Sequence, residues 1–245
     1  MKKILIILIL ILSVFSIANA HPFKSEKELY EYYAEIDKKI FAEKNKPIIR
    51  KKYPRKLTDK ELEQEQIPFS LKRYTVDEIV GNNKLVYNAF NYQLMSISQI
   101  NENNKEEGVI RTFDEDENLI SIAYIENSKG VMGIYREYYP WGVLKNETPY
   151  YTSEINGKLK NYYPDGLLKE EYTYYNNKKE GLATMYYESG QKFAIENYKN
   201  DLKNGDYYMY YENGNLGMKA FFVNGKREGT IEFYEEDGKK IEKNK

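Results

Sequence analysis

The feature that most constrains this chain is a period. Glycines 133, 157, 181, 205 and 229 recur every 24 residues, and a second series, Gly142, Gly166, Gly190, Gly214 and Gly238, keeps the same step. Tyr138, Tyr162, Tyr186, Tyr210 and Tyr234 keep it too. Three series locked to one step over five copies define a repeat array. Each copy reads as two strands and two turns: "YYPDGLLKEEYTYY" returns as "YYESGQKFAIENY" and as "YYENGNLGMKAFF". The second glycine sits in "PWG", "PDG", "ESG", "ENG" and "EDG", where a turn needs positive φ and a residue without Cβ adopts it cheaply. A second polar turn, such as "NNKKEG" or "NGKREG", leads into the next copy. A mainly β fold follows: an elongated antiparallel β-meander of 24-residue hairpin repeats, each stabilised by its neighbours because one hairpin cannot bury its own face. An open array has two free edges. The charged tail "EEDGKKIEKNK" suits the blunting of the C-terminal one.

Alternation assigns the faces. In "GLATMYY", Ala183, Met185 and Tyr187 are expected on one side, with Tyr207, Met209 and Tyr211 and then Ile231 and Phe233 in the later copies. This more apolar set is expected to be the buried face. The Tyr138 to Tyr234 series, with Leu182 and Thr184, is expected on the opposite, wetter face.

The rest of the chain divides by composition. Residues 133–245 hold the five clear copies. Residues 73–132 form a degenerate β-hairpin region, in which Gly108 to Phe113 repeats the glycine-to-tyrosine spacing and Asn118 falls near the turn position. Residues 21–72 read as a short helical segment. Ser25 with Glu28 fits a capping box, and Leu29, Tyr32, Tyr33, Ile36, Ile40 and Phe41 recur at helical spacing. Thr58 with Glu61 makes a second capping box, and Pro47, Pro54 and Pro68 punctuate the segment. Between the helices, "KNKPIIRKKYPRK" carries basic residues and no acid, as a solvated connector or as a contact for an anionic lipid, a polysaccharide or an acidic partner. Residues 1–20 have the form of a signal peptide: Lys2 and Lys3, an apolar run from Ile4 to Ile17, then Ala18-Asn19-Ala20. Cleavage after Ala20 and export to the periplasm, the outer envelope or the medium are expected.

At this point the copies "GLATMYYESGQK", "GDYYMYYENGNL" and "VNGKREGTIEFYEEDGK" resemble MORN repeats, in the bacterial variant whose members are often labelled antitoxin-like. The resemblance covers residues 133–245 strongly and 108–132 loosely. It implies an elongated, twisted antiparallel sheet that holds protein partners, sometimes near membranes. It supplies no catalytic motif, because the repeat has none.

The chemistry in the residues is sparse. The chain has no cysteine, which excludes disulfides, thiolate metal sites and a lipidated cysteine. Its one histidine, His21, would begin the mature chain. Serine or cysteine nucleophiles activated by histidine are therefore not expected. A net charge of -1 gives a nucleic-acid role no support. In "DEDEN", Asp114, Asp116 and Asn118 alternate as in a calcium loop, but Leu119 and Ile125 stand where that loop needs Gly and Glu, so an acidic turn is expected. Glu170, Glu171 and Glu188 sit amid equivalents in other copies, which favours scaffold over a catalytic pair. No cofactor and no metal are expected. Tyr138, Trp141, Tyr162, Tyr186, Tyr210 and Tyr234 are the candidate partner-binding residues, since Tyr offers rigid contact area with a polar tip. The reading is a non-enzymatic extracytoplasmic scaffold that binds a protein along its sheet. A glycan or peptidoglycan binder using the same tyrosines, and an antitoxin-like or immunity protein, are the alternatives.

Overall fold

The computed structural model describes residues 23–49, 75–88, 93–126, 129–242. The expected signal peptide, His21, the second capping box and most of the basic segment lie outside these residues. The described chain is one helix and one sheet. Helix α1 (Glu26–Lys44) precedes strands β1 (Thr75–Val80), β2 (Asn83–Asn88), β3 (Leu94–Ile100), β4 (Glu106–Phe113), β5 (Leu119–Glu126), β6 (Gly130–Tyr138), β7 (Leu144–Tyr151), β8 (Glu154–Ile155) and β9 (Gly157–Tyr162). They continue as β10 (Leu168–Tyr175), β11 (Lys178–Tyr186), β12 (Lys192–Lys199), β13 (Leu202–Lys203), β14 (Gly205–Tyr210), β15 (Leu216–Val223) and β16 (Lys226–Phe233). Every pairing is antiparallel and follows chain order, with the two-residue strands β8 and β13 set off the main path. Contacts between sequential strands dominate, as expected of a meander.

Turn chemistry explains why the period is so strict. The predicted turn glycines all have positive φ: 86° at Gly142, 94° at Gly166, 83° at Gly190, 87° at Gly214 and 88° at Gly238. At the other end of each hairpin, both central residues have positive φ, as in Asn176 and Asn177 (46° and 65°) or Asn224 and Gly225 (50° and 80°). That is the two-residue turn whose twist matches the flanking strands, and Asn and Gly tolerate it best. A register shift beside Tyr138, Tyr162, Tyr186 and Tyr210 marks where the strand meets the first turn. Tyr87 and Phe113 occupy the same register as Tyr138, each at a shift and each opposite the first residue of the next strand. The array therefore extends two copies further toward the N-terminus than the glycines reveal. In the copy at Phe113, Glu117 (φ 64°) takes the turn glycine's place.

Successive copies are also tied side to side. The second tyrosine of each pair sends its hydroxyl one copy ahead: Tyr139 donates to the carbonyl of Tyr162 (3.0 Å), Tyr163 to Tyr186 (2.8 Å), Tyr187 to Tyr210 (2.8 Å) and Tyr211 to Tyr234 (2.9 Å). In the last copy this position is Glu235. At the opposite end, the backbone N–H groups of Ser153, Asn177, Asp201 and Gly225 donate to carbonyls of the preceding copy, at Val131, Ile155, Lys179 and Lys203. Both rows of turns thus hold the neighbours' spacing with hydrogen bonds that the strands do not use.

Helix α1 begins where the capping box predicts. Ser25 is the N-cap and accepts from the backbone N–H of Glu28 (3.2 Å), while the Glu28 carboxylate reaches back to the N–H of Lys24 (2.7 Å). Leu29, Tyr33, Ile36 and Ile40 are buried and Phe41 is exposed. The helix packs across β4, β5 and β6. There Ile36 and Ile40 join Val109, Ile122, Met132 and Tyr138 in one core cluster, and a second cluster of Leu85, Tyr87, Leu94, Ile97 and Phe113 fills the N-terminal copies. Each fully buried aliphatic side chain of this kind contributes about 1.5–3 kcal/mol.

The expected division into a buried and a wet face is corrected. Ala183 and Thr184, on opposite sides, are both buried, Met185 and Tyr186 are both half-buried, and Tyr187 lies in a turn rather than on a strand face. The described residues contain one element outside the sheet, α1, so over most of its length the sheet is a single layer. Burial there follows the height of flanking side chains: small residues are screened by neighbouring rings, and no ring is fully covered. At the C-terminal edge the tail pairs with the end of β16 only and leaves the rest of that strand's edge free. Tyr234 bridges to Lys240, the N–H of Ile241 donates to the carbonyl of Phe233 (2.8 Å), and Lys240 pairs with Glu232 (2.8 Å).

Candidate partner-binding face

Directly opposed residues in antiparallel strands share a face. One unbroken row runs Ile97, Arg111, Ile122, Arg136, Glu147, Lys160, Glu171, Thr184, Ile195, Tyr208, Lys219, Glu232, crossing from β3 to β16. This is the front face, because α1 lies on it. Arg136 holds the helix by a bidentate pair with Asp37 (2.8 and 2.7 Å), and its Nε donates to Glu147 (3.0 Å). Arg136 is almost fully buried, and both carboxylates are mostly so. Tyr33 donates to the carbonyl of Asn156 (2.8 Å), and Tyr30 accepts from the N–H of Lys158 (2.9 Å). These contacts fix the N-terminal half of α1 over the start of β9.

The tyrosine series lies on this front face, so the helix takes its first member. Tyr138 is 7% exposed, with the Lys44 ammonium 4.3 Å above its ring. Tyr162, Tyr186, Tyr210 and Tyr234 continue beyond the helix, each half-buried with a solvent-facing portion. Tyr162 donates to Glu147 (2.8 Å), and burial together with that carboxylate holds its phenol well above the ordinary range. Tyr234 donates to Glu232 (2.7 Å), which raises its phenol in the same way, and Tyr210 leans against Tyr208 at 6.5 Å between centroids. Trp141 stands apart from the row, in a turn. Its ring stacks on Tyr139 at 4.9 Å and its Nε1 donates to the carbonyl of Pro164 (3.2 Å), leaving it 61% exposed.

Beyond α1 the front face carries exposed apolar side chains: Leu182, 51% exposed, and Phe221, 45% exposed, with Val223 beside it. The back face differs. A further aromatic series at the same period, Tyr150, Tyr174, Tyr198 and Phe222, lies there, and sequence reasoning did not single it out although its spacing was available. Its rings meet other rings of the same face: Tyr150 with Tyr135, Tyr198 with Tyr172, Phe222 with Tyr207. Lys179 sits 3.7 Å over Tyr172 and 5.0 Å over Tyr198, and Lys203 pairs with Glu196 (2.6 Å) while lying over Tyr207. Ala183, Ala194 and Ala220 are buried beneath this layer. Along β10 to β15 the back face is layered with its own aromatic and lysine side chains, each ring half-buried, and at β16 it exposes Phe233.

The remaining candidates resolve simply. Asp114 accepts from the N–H groups of Asp116 (3.0 Å) and Asn118 (2.8 Å), so it closes the acidic turn with its own carboxylate. Among the described residues no cluster of three or more His, Asp or Glu side chains is placed to hold a metal ion. Glu170 accepts from Asn161 (2.7 Å) on the back face, whereas Glu171 pairs with Lys158 (3.1 Å) on the front, so the two carboxylates point apart. Among the described residues no helix is long and apolar enough to cross a membrane.

Comparison with known proteins matches the family described as MORN repeat variant at residues 155–177, 179–200 and 203–224. No curated protein matches the chain. Two solved structures of TarM, the second an S. aureus mutant with Fondaparinux, alpha-GlcNAc-glycerol and UDP, are similar over 81% of this chain at 11% and 13% identity. The chain spans 26% and 27% of those proteins, and TM-scores of 0.21 and 0.20 carry no argument about fold or activity. The three matched segments fall within the five copies that keep the strict period. Residues 155–224 match three consecutive MORN repeats of the variant type.

Proposed function

We propose that this protein is a non-enzymatic scaffold that works outside the cytoplasm and holds a protein partner along the uncovered part of its front face. The observation that carries the reading is the contrast between the two faces. The rings of the back face pack against one another and under lysines, with Phe233 of the last strand exposed, whereas the front face beyond α1 exposes Leu182, Phe221 and Val223 beside Tyr162, Tyr186 and Tyr210. Exposed apolar groups rimmed by polar ones are typical of interaction surfaces, and rigid phenols suit them. The N-terminal charge and hydropathy pattern supports export. Fractionation of source cells, with a tagged chain followed into the periplasm or medium, tests the location; retention in the cytoplasm refutes it. Binding is tested by capturing partners from solubilised envelope on residues 21–245 and measuring the affinity of each purified candidate. A partner whose binding survives replacement of Tyr162, Tyr186 and Tyr210 by Ser in a folded variant refutes the assigned face.

A further inference from the structure

Resting on that scaffold reading, we infer that the occupant of the uncovered front face is an amphipathic α-helix of the partner, laid across β10 to β16 as α1 is laid across β4 to β6. The uncovered surface is continuous with the seat of α1. The row that begins beneath the helix at Ile122 and Arg136 runs without a break to Glu232. The repeat brings the same strand pair back about every 10 Å, although at Gly205 Asn197 already occupies the recess, 3.2 Å from where a Cβ would lie.

The way α1 sits shows what the surface accepts. At Gly133 a Cβ would come within 2.6 Å of Ile36 Cγ2, and at Gly157 within 3.1 Å of the Tyr30 hydroxyl. The absent side chains therefore leave recesses that two residues of α1 fill. The next glycine of the series, Gly181, has nothing within 4 Å, and the exposed Leu182 adjoins it. That recess is open.

The backbone decides between a helix and an extended peptide. The interior strands β10 to β15 are paired on both sides, so the face offers no row of free N–H or C=O groups to a strand. An extended peptide there would leave its own backbone groups unpaired against apolar side chains, which is costly. A helix satisfies its backbone internally and presents an aliphatic ridge at i, i+3, i+4 and i+7. An extended partner belongs instead on the free edge of β16. Along the covered stretch, the row gives the helix two cations: Arg136 takes Asp37, and Arg111 donates to the carbonyl of Lys46 just past the helix end (2.8 Å). Along the uncovered stretch, Lys160 and Lys219 stand in the same row, so an acidic residue flanking the ridge would complement them as Asp37 complements Arg136.

The test uses residues 21–245 and a displayed library holding equal numbers of amphipathic helical peptides and proline-punctuated extended peptides of the length of α1. The expected result is enrichment of helical sequences with the i, i+3, i+4, i+7 ridge. Their affinity should fall about tenfold or more in Leu182→Asp/Phe221→Asp, since central apolar anchors carry most interface energy. It should be unchanged in Tyr198→Ser on the back face. Both replaced residues are exposed, and circular dichroism checks the fold; the single variant Leu182→Asp gives the same reading if the double variant misfolds. Enrichment of extended peptides, or helical binding that ignores Leu182 and Phe221, overturns the helix while leaving a scaffold of another kind. Enrichment of neither class overturns the inference, and it overturns the scaffold reading as well when envelope capture is also empty.

Discussion

Substituting alanine for Gly133 and for Gly181 separates two effects that the repeat combines. Both glycines hold positive φ, 79° and 88°. An L-residue forced into that region costs about 1–2 kcal/mol, and both variants bear this. At Gly181 a Cβ meets nothing within 4 Å, so the cost ends there. At Gly133 it would lie 2.6 Å from Ile36 Cγ2 and 3.1 Å from Ile36 Cβ. Ile36 is β-branched and in mid-helix, where its χ1 is nearly fixed, so α1 itself must lift. Overpacking of that kind adds about 1–3 kcal/mol. Gly133→Ala should therefore destabilise the protein by about 2–5 kcal/mol against about 1–2 kcal/mol for Gly181→Ala. Repeat arrays need not unfold in one step, so urea unfolding is paired with amide exchange: α1 amides should lose protection in Gly133→Ala and keep it in Gly181→Ala. Ile36→Ala in the Gly133→Ala background should recover part of the difference as a coupling between neighbours. Equal losses for the two glycines, or unchanged exchange in α1, would refute the argument that the missing Cβ seats the helix.

Further outcomes follow from the same geometry. Tyr163→Phe and Tyr187→Phe each remove a hydroxyl tie to the next copy and should cost about 1 kcal/mol, whereas Glu235→Gln, at the same repeat position but without that tie, should change little; urea midpoints compare the three. Arg136→Met leaves Asp37 and Glu147 close together without their shared cation, and breaking a buried pair in this way costs about 3–5 kcal/mol, read as loss of α1 exchange protection. Burial pushes the phenols of Tyr30 and Tyr32 up to about 12, and that of Tyr33 higher still. The folded protein thus binds these protons more tightly than the unfolded chain, whose phenols ionise near 10. Their contribution should be complete below pH 10 and be lost as pH rises toward 12. Tyrosinate absorbance and circular dichroism followed together should change in that window; full ionisation with α1 intact would contradict the burial of these rings.

The sequence made the fold legible because each copy is specified locally. A turn glycine, a second turn rich in Asn and Gly, and alternation between them leave little freedom, and the Ser25 cap with its Glu28 was equally local. The degenerate copies showed only in part, since Glu117 stands in for a glycine and Tyr87 lies 26 residues before Phe113 rather than 24. The face assignment held only in part, for a physical reason. Alternation separates two sides of a strand but does not say which side receives the helix, and that depends on contacts such as Asp37 to Arg136, 99 residues apart. For the same reason nothing local revealed that Tyr138 would be buried while Tyr186 stayed accessible. The doubled tyrosines were visible as "YY", yet the second of each pair reads as a face residue until the shift at the strand end turns its hydroxyl toward the next copy.

The central claim is that the uncovered front face, and not the back face, holds the partner. The direct measurement is the affinity of a captured and purified envelope partner for residues 21–245, for Tyr162→Ser/Tyr186→Ser/Tyr210→Ser and for Tyr174→Ser/Tyr198→Ser, each shown to be folded. The account predicts that binding is lost in the front-face variant and kept in the back-face variant. Binding lost only in the back-face variant, or unchanged in both, would contradict it.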